Sequence, residues 1–218
     1  VIPVEPAAWQ QACAGSPLKT GTLEIWRAPV GLGAEMNETN GLKPEECLRA
    51  ERMLNPARRM QYTAGHALLH GVRAKHGMPL FTSLSHSGEW IVAAAARRGP
   101  VGVDVEFLRP NRPLERLSRR FFAPEEHAWL MRSPEEDWVR LFYRLWTAKE
   151  ALFKALGMPA SAAHFAARPV IAPEGDSAFS EVPIVEGCRV GWFSAAPGYV
   201  GAYAASADVL QVRYLYPA

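Results

Sequence analysis

Two segments of this sequence hold residues suited to chemistry: Val101-Gly-Val-Asp-Val-Glu and Trp146-Thr-Ala-Lys-Glu-Ala-Leu-Phe-Lys. In a strand, Asp104 and Glu106 project from the same face. Two neighbouring carboxylates repel, and a solvated strand face is the commoner reason to find them together. A divalent cation reverses the sign of that interaction. Mg²⁺ takes oxygen ligands from carboxylates, phosphates and water, so Asp104, Glu106 and Glu150 make a suitable hard site, with the nearby lysines turned to phosphates. Glu150 has a plainer alternative, an i,i+4 pair with Lys154 worth about 0.3–0.5 kcal/mol on an exposed helix. Ser83-Leu-Ser-His-Ser-Gly-Glu-Trp adds hydroxyls, backbone amides and the His86 imidazole, all able to donate to phosphate oxygens. A lone histidine in a turn is more often structural or exposed than a ligand contact.

The elements that must position these groups follow from periodicity. Residues 1–22 read as a wrapping tail leading into a strand at 23–27. Pro44 and the Asn55-Pro56 cap open two helices; Met60, Ala64, Ala67, Leu68 and Gly71 recur on one face of the second, and Gly77 stops it. Residues 83–87 read as a polar turn, and strands at 90–96 and 101–106 read as a hairpin joined by Arg97-Arg-Gly-Pro. Ser133-Pro-Glu-Glu reads as a capping box, with Glu136 reaching back, that opens a helix over 134–156. On that helix Trp138, Leu141, Phe142, Leu145, Leu152 and Leu156 form an apolar stripe, and Lys149 falls inside it. Burying an ammonium is costly, so either its stem reaches solvent or an anion lies against the helix. Runs at 189–194, 199–205 and 209–214 close the chain as a β meander. The pattern predicts two α+β lobes, 1–100 and 101–218, with their seam as the natural ligand cleft.

Composition excludes several classes. The chain has 218 residues, 49% hydrophobic and 21% charged, which rules out disorder by composition. Its 24 Lys+Arg and 22 Asp+Glu give a net charge of +2, too balanced for a protein that lives by neutralising nucleic-acid phosphates. The longest apolar run, Trp90 to Ala96, falls far short of the ~20 residues that span a membrane. No leader pattern is read, so a cytoplasmic protein is expected. Cys13, Cys47 and Cys188 show no C-x-x-C and predict neither a disulfide framework nor a cysteine-rich zinc site. No P-loop or dinucleotide fingerprint occurs.

Three ordered motifs, Ser83-Leu-Ser-His-Ser-Gly, Val101-Gly-Val-Asp-Val-Glu and Trp146-Thr-Ala-Lys-Glu-Ala-Leu-Phe-Lys, resemble those of the two-lobed, surfactin-type (Sfp-like) 4'-phosphopantetheinyl transferases. Looser similarity runs from Trp26 to Ala205. The resemblance implies an α+β fold of two similar lobes related by pseudo-two-fold symmetry, each with helices on a small antiparallel sheet and a ligand cleft between them. It implies that Asp104, Glu106 and Glu150 bind Mg²⁺, or Mn²⁺ in its place. It implies that Ser85, His86, Lys149 and Lys154 contact coenzyme A phosphates, with Arg58 or Arg59 on the 3'-phosphate. Glu126 matches an acidic position of the family, although a helix-start carboxylate accounts for it equally well. The chain departs from the pattern at His66, at Gly77-Met-Pro and at Leu156-Gly-Met-Pro.

The activity so implied is attack by a carrier-protein serine on the β-phosphate of coenzyme A, with 3',5'-ADP leaving. Glu150 is the expected proton acceptor, Glu106 the fallback, and Lys149 and Lys154 add positive charge. The partners expected are coenzyme A and an apo acyl or peptidyl carrier protein, with no nucleic acid and no membrane, and one chain suffices as a monomer. The six arginines between positions 107 and 132 (Arg109, Arg112, Arg116, Arg119, Arg120 and Arg132) are the expected docking surface for an acidic carrier, against the alternative of a solubilising face. Two other readings stay open on the residues alone: a metal-dependent phosphodiester hydrolase, and a catalytically inert carrier-binding module.

Overall fold

The structure is a computed structural model and describes residues 17–31, 41–159, 161–170 and 184–216. Most of the expected wrapping tail, and Cys13 within it, lies outside the described residues. The chain divides into two compact units: residues 1–99 with 208–218, and residues 100–207.

Unit 1 contains β1 (Thr22–Pro29), α1 (Pro44–Glu51), α2 (Pro56–His76), β2 (Phe81–Ser87), β3 (Trp90–Ala96) and β8 (Gln211–Leu215). Its sheet runs in the order β2-β3-β1-β8. Helix α2 starts at an Asn55 cap that accepts from the Arg58 amide and ends at Gly77, whose φ of 67° suits glycine. Ala64, Ala67, Leu68 and Val72 of α2 pack on Ile91, Ala93 and Ala95 of β3 and on Trp26. Met60, expected on that buried face, is 55% exposed.

Three expectations for unit 1 are corrected. Residues 83–87 are strand rather than turn: Ser85 and Ser87 are buried while His86 is exposed, the alternation of a pleated edge built from small polar side chains. Strand β3 forms no hairpin with the strand over residues 101–107, because β3 is already paired with β1 on one side and β2 on the other. The last strand leaves the meander and pairs with β1 in parallel, Leu23 opposite Val212, so this sheet is mixed and residues 208–218 join unit 1 instead of the C-terminal lobe.

Unit 2 contains β4 (Val101–Phe107), α3 (Leu114–Phe121), α4 (Pro124–Arg132), α5 (Trp138–Ala155), α6 (Ala162–Ala166), β5 (Ile184–Val185), β6 (Cys188–Phe193) and β7 (Tyr199–Ser206). Its sheet, β4-β7-β6-β5, is antiparallel throughout. Helix α5 lays Leu141, Phe142, Leu145, Ala148 and Leu152 onto Val190, Ala202 and Ala204, each large side chain so buried contributing about 1.5–3 kcal/mol. The capping box expected at Ser133 does not form. Its hydroxyl donates to the Trp129 carbonyl of the preceding helix, and a 3₁₀ turn over Glu135–Asp137 leads into α5.

Candidate active site

Strand β4 is the platform. Gly102, Asp104 and Glu106 alternate onto one face, and α5 crosses that face very closely. A Cβ at position 102 would run into the Ala151 carbonyl oxygen and lie 2.7 Å from the Ala155 nitrogen. Glycine therefore admits the helix backbone, and the same crossing sets residues 150 and 154 of α5 against the acids of β4. Lys154 Nζ donates to Asp104 Oδ1 at 2.8 Å and to the Val103 carbonyl at 3.0 Å. The solvated-face reading of β4 fails, since Asp104 is only 5% exposed. The exposed helical pair expected between Glu150 and Lys154 gives way to this strand-to-helix contact.

Glu150 is the perturbed group of the site. Burial pushes its carboxyl up, Asp104 and Glu106 push in the same direction, and Lys154 pulls back, leaving it at about 7 against an ordinary 4.5. The carboxylates of Asp104, Glu106 and Glu150 are hard oxygen donors, the ligand type that a divalent cation such as Mg²⁺ takes.

Lys149 requires a correction. Expected at phosphates, it is fully buried with its ammonium turned to another part of unit 2. Nζ lies 2.7 Å from Glu126 Oε2 and donates to the Phe165 and Arg168 carbonyls, each at 2.7 Å. An ammonium has three N–H donors, and these three acceptors use them all. Burial lowers the lysine pKa while Glu126 opposes the shift. Glu126 is itself fully engaged, accepting from the Ala123 amide at 3.0 Å and the Val170 amide at 2.8 Å. The anion demanded by a lysine inside an apolar stripe is thus a carboxylate of the chain itself. The sequence signal was present on both sides, in the stripe and in the acid at the start of α4, but nothing in the spacing joined them.

The remaining expected residues lie in unit 1. Arg58 and Arg59 are exposed on the first turn of α2, where the Arg59 guanidinium donates to the Met53 carbonyl at 2.9 Å. Ser85 is buried in β2 and His86 is exposed beside it.

Residues 100–179 match the model of the 4'-phosphopantetheinyl transferase superfamily. The 4'-phosphopantetheinyl transferase HetI of Nostoc sp. is 30% identical over 167 residues, covering 64% of this chain and 70% of that protein. The chain belongs to this superfamily. The transferase AcpT of Salmonella typhimurium is 38% identical over 81 residues, 37% of this chain and 42% of its own length. A 4'-phosphopantetheinyl transferase of Bacillus subtilis is 36% identical over 75 residues, 34% of this chain and 32% of its own. The protein is a phosphopantetheinyl transferase enzyme, and the stretch matching the superfamily model carries Asp104, Glu106, Glu126, Lys149, Glu150 and Lys154. Among the described residues no helix is long and apolar enough to cross a membrane.

Proposed function

We propose that this transferase moves the 4'-phosphopantetheine arm of coenzyme A to a serine of an apo acyl or peptidyl carrier protein and releases 3',5'-ADP, with Mg²⁺, or Mn²⁺ in its place, as the required cation. The observation that carries the reading is the crossing of α5 over Gly102, which sets a half-buried Glu150 facing β4, where burial first and then the charges of Asp104 and Glu106 raise its carboxyl to about 7. Near neutral pH such a group takes up a proton readily. The serine oxygen forms a bond to the β-phosphorus, the bond from that phosphorus to the bridging oxygen breaks, and 3',5'-ADP leaves with the electron pair. The serine proton passes to Glu150, directly or through water, with Glu106 as the alternative acceptor. The cation on the three carboxylates would supply charge compensation for the pyrophosphate. Asp104 holds Lys154 by its ammonium, and the lysine side chain keeps 31% of its surface open, which suits a fixed positive charge beside phosphates. Lys149 has no part in this chemistry; it fixes the segment behind α5.

The motifs at 83–88, 101–106 and 146–154 support assignment to the two-lobed surfactin-type members, acting as a monomer in the cytoplasm. Arg58, Arg59, Ser85 and His86 are the proposed coenzyme A contacts from unit 1, on the strength of that resemblance. The exposed arginines of α3 and its flanks support docking of an acidic carrier. Intact-mass analysis of an apo carrier protein incubated with the enzyme, coenzyme A and Mg²⁺ tests the reading. It predicts gain of one phosphopantetheine arm, absent with chelator. No gain on a panel of apo carriers would overturn it.

A further inference from the structure

In unit 1, a carboxylate and two imidazoles meet in an arrangement the transfer reaction does not use. His66 and His70 stand one helical turn apart on α2 and present their rings on the same side. Glu46, in the first turn of α1, places Oε1 2.8 Å from His66 Nδ1 and Oε2 2.8 Å from His70 Nε2. One ligand atom from each of the three residues lies within 4.8 Å of the others. The Lys43 amide donates to Glu46 Oε2 at 2.9 Å, fixing the carboxylate plane as an outer-shell donor does in a built metal centre. Glu46 is 11% exposed at its side chain, His70 16% and His66 25%, so the groups are held by packing yet remain reachable.

We propose that Glu46, His66 and His70 bind one transition-metal ion, Zn²⁺ by the donor set, and so clamp α1 to α2. Two imidazoles and a carboxylate are the protein ligands of open tetrahedral zinc sites, in which water completes the shell. Imidazole donors select against Mg²⁺, so this site and the all-carboxylate cluster of unit 2 take different ions. Each ring nitrogen facing Glu46 must offer a lone pair to the ion. Binding therefore replaces a tautomer that donates to Glu46 with one whose proton sits on the far nitrogen.

The test uses the full chain, stripped with chelator and desalted. Zn²⁺ is titrated against a chromophoric competitor in excess Mg²⁺, and Co²⁺ is titrated with its visible absorption as a report on coordination. One equivalent of each ion is expected, with a four-coordinate Co²⁺ spectrum. Zn²⁺ affinity should fall by more than the ~10–100-fold that loss of an outer-shell partner costs, both in His66→Ala and in His70→Ala, and stay unchanged in Glu150→Gln. Zn²⁺ should also raise the Tm of the unaltered protein and of neither histidine variant. Binding that survives both histidine substitutions, binding that disappears in Glu150→Gln, or no stoichiometric binding at all would overturn the assignment. Should an alanine variant fail to fold by circular dichroism, ring ¹H–¹⁵N NMR of the unaltered protein decides. The signals of His66 and His70 must shift with Zn²⁺ while that of His164 stays, and unmoved signals refute the site.

Discussion

The Lys149 ammonium lies 2.7 Å from the Glu126 carboxylate, with neither side chain reached by solvent. One helix thus carries, at adjacent positions, a lysine locked into the core and a glutamate turned to the acids of β4. Removing either partner of the lysine pair leaves a buried charge without compensation.

Lys149→Met and Glu126→Gln are each expected to lower unfolding stability by about 3–5 kcal/mol, as for other broken buried pairs. Lys149→Met combined with Glu126→Leu should recover only part of that loss: both charges go, but the Ala123 and Val170 amides and the Phe165 and Arg168 carbonyls lose their partners. Urea unfolding of the three variants checks this. Residual transferase activity in the folded double variant is also expected, since neither residue handles phosphate; an inactive double variant of full stability would return Lys149 to the chemistry.

Glu150 makes the metal-free protein sensitive to pH. Its carboxyl rises from 4.5 to about 7 on folding, so the fold favours the protonated form. The associated stability is fully present below pH 4.5 and is lost as pH rises through 7. In chelator, the Tm of the unaltered protein should therefore fall relative to Glu150→Gln across that window and run parallel to it above. Adding Mg²⁺ at pH 8 should raise the Tm of the unaltered protein more than that of Glu150→Gln. Parallel curves throughout the window would show that burial and the neighbouring carboxylates do not raise the Glu150 carboxyl.

How much of this was legible in the sequence depended on whether the signal was local. The face shared by Asp104 and Glu106 follows from strand geometry alone, and Gly77 and Asn55 mark the ends of α2 by their backbone preferences. The closeness of α5 to β4 depends on Gly102 meeting Ala151, a contact between residues far apart in sequence. The separation of β3 from β4 likewise depends on β1, which fills the edge a hairpin would need. Ser133 carried a convincing helix-start pattern, yet its hydroxyl serves the Trp129 carbonyl of the preceding helix. Lys149 shows the general limit: periodicity places it in the core, and only the tertiary fold supplies Glu126 as its anion.

The arginine-rich segment yields a prediction about the partner. Arg109, Arg112, Arg116, Arg119, Arg120 and Arg132 are all exposed, with Arg119 paired to Glu115 at 2.6 Å. Exposed ion pairs are worth about 0.2–1 kcal/mol each, so reversing Arg116, Arg119 and Arg120 to Glu should raise the KM for carrier protein roughly 3- to 100-fold. The KM for coenzyme A should change little, and the difference should shrink as salt is added. Equal changes in both KM values would identify the segment as a solubilising surface instead.

A single divalent cation shared by Asp104, Glu106 and Glu150 can be sought by Mn²⁺ binding followed by electron paramagnetic resonance in the presence of coenzyme A. The unaltered enzyme, with the Glu46 cluster saturated by Zn²⁺, should take up one equivalent of Mn²⁺. Asp104→Asn and Glu150→Gln, folded by circular dichroism, should each lose that equivalent together with transferase activity. Retention of the Mn²⁺ signal in both variants would show that these carboxylates do not hold the ion.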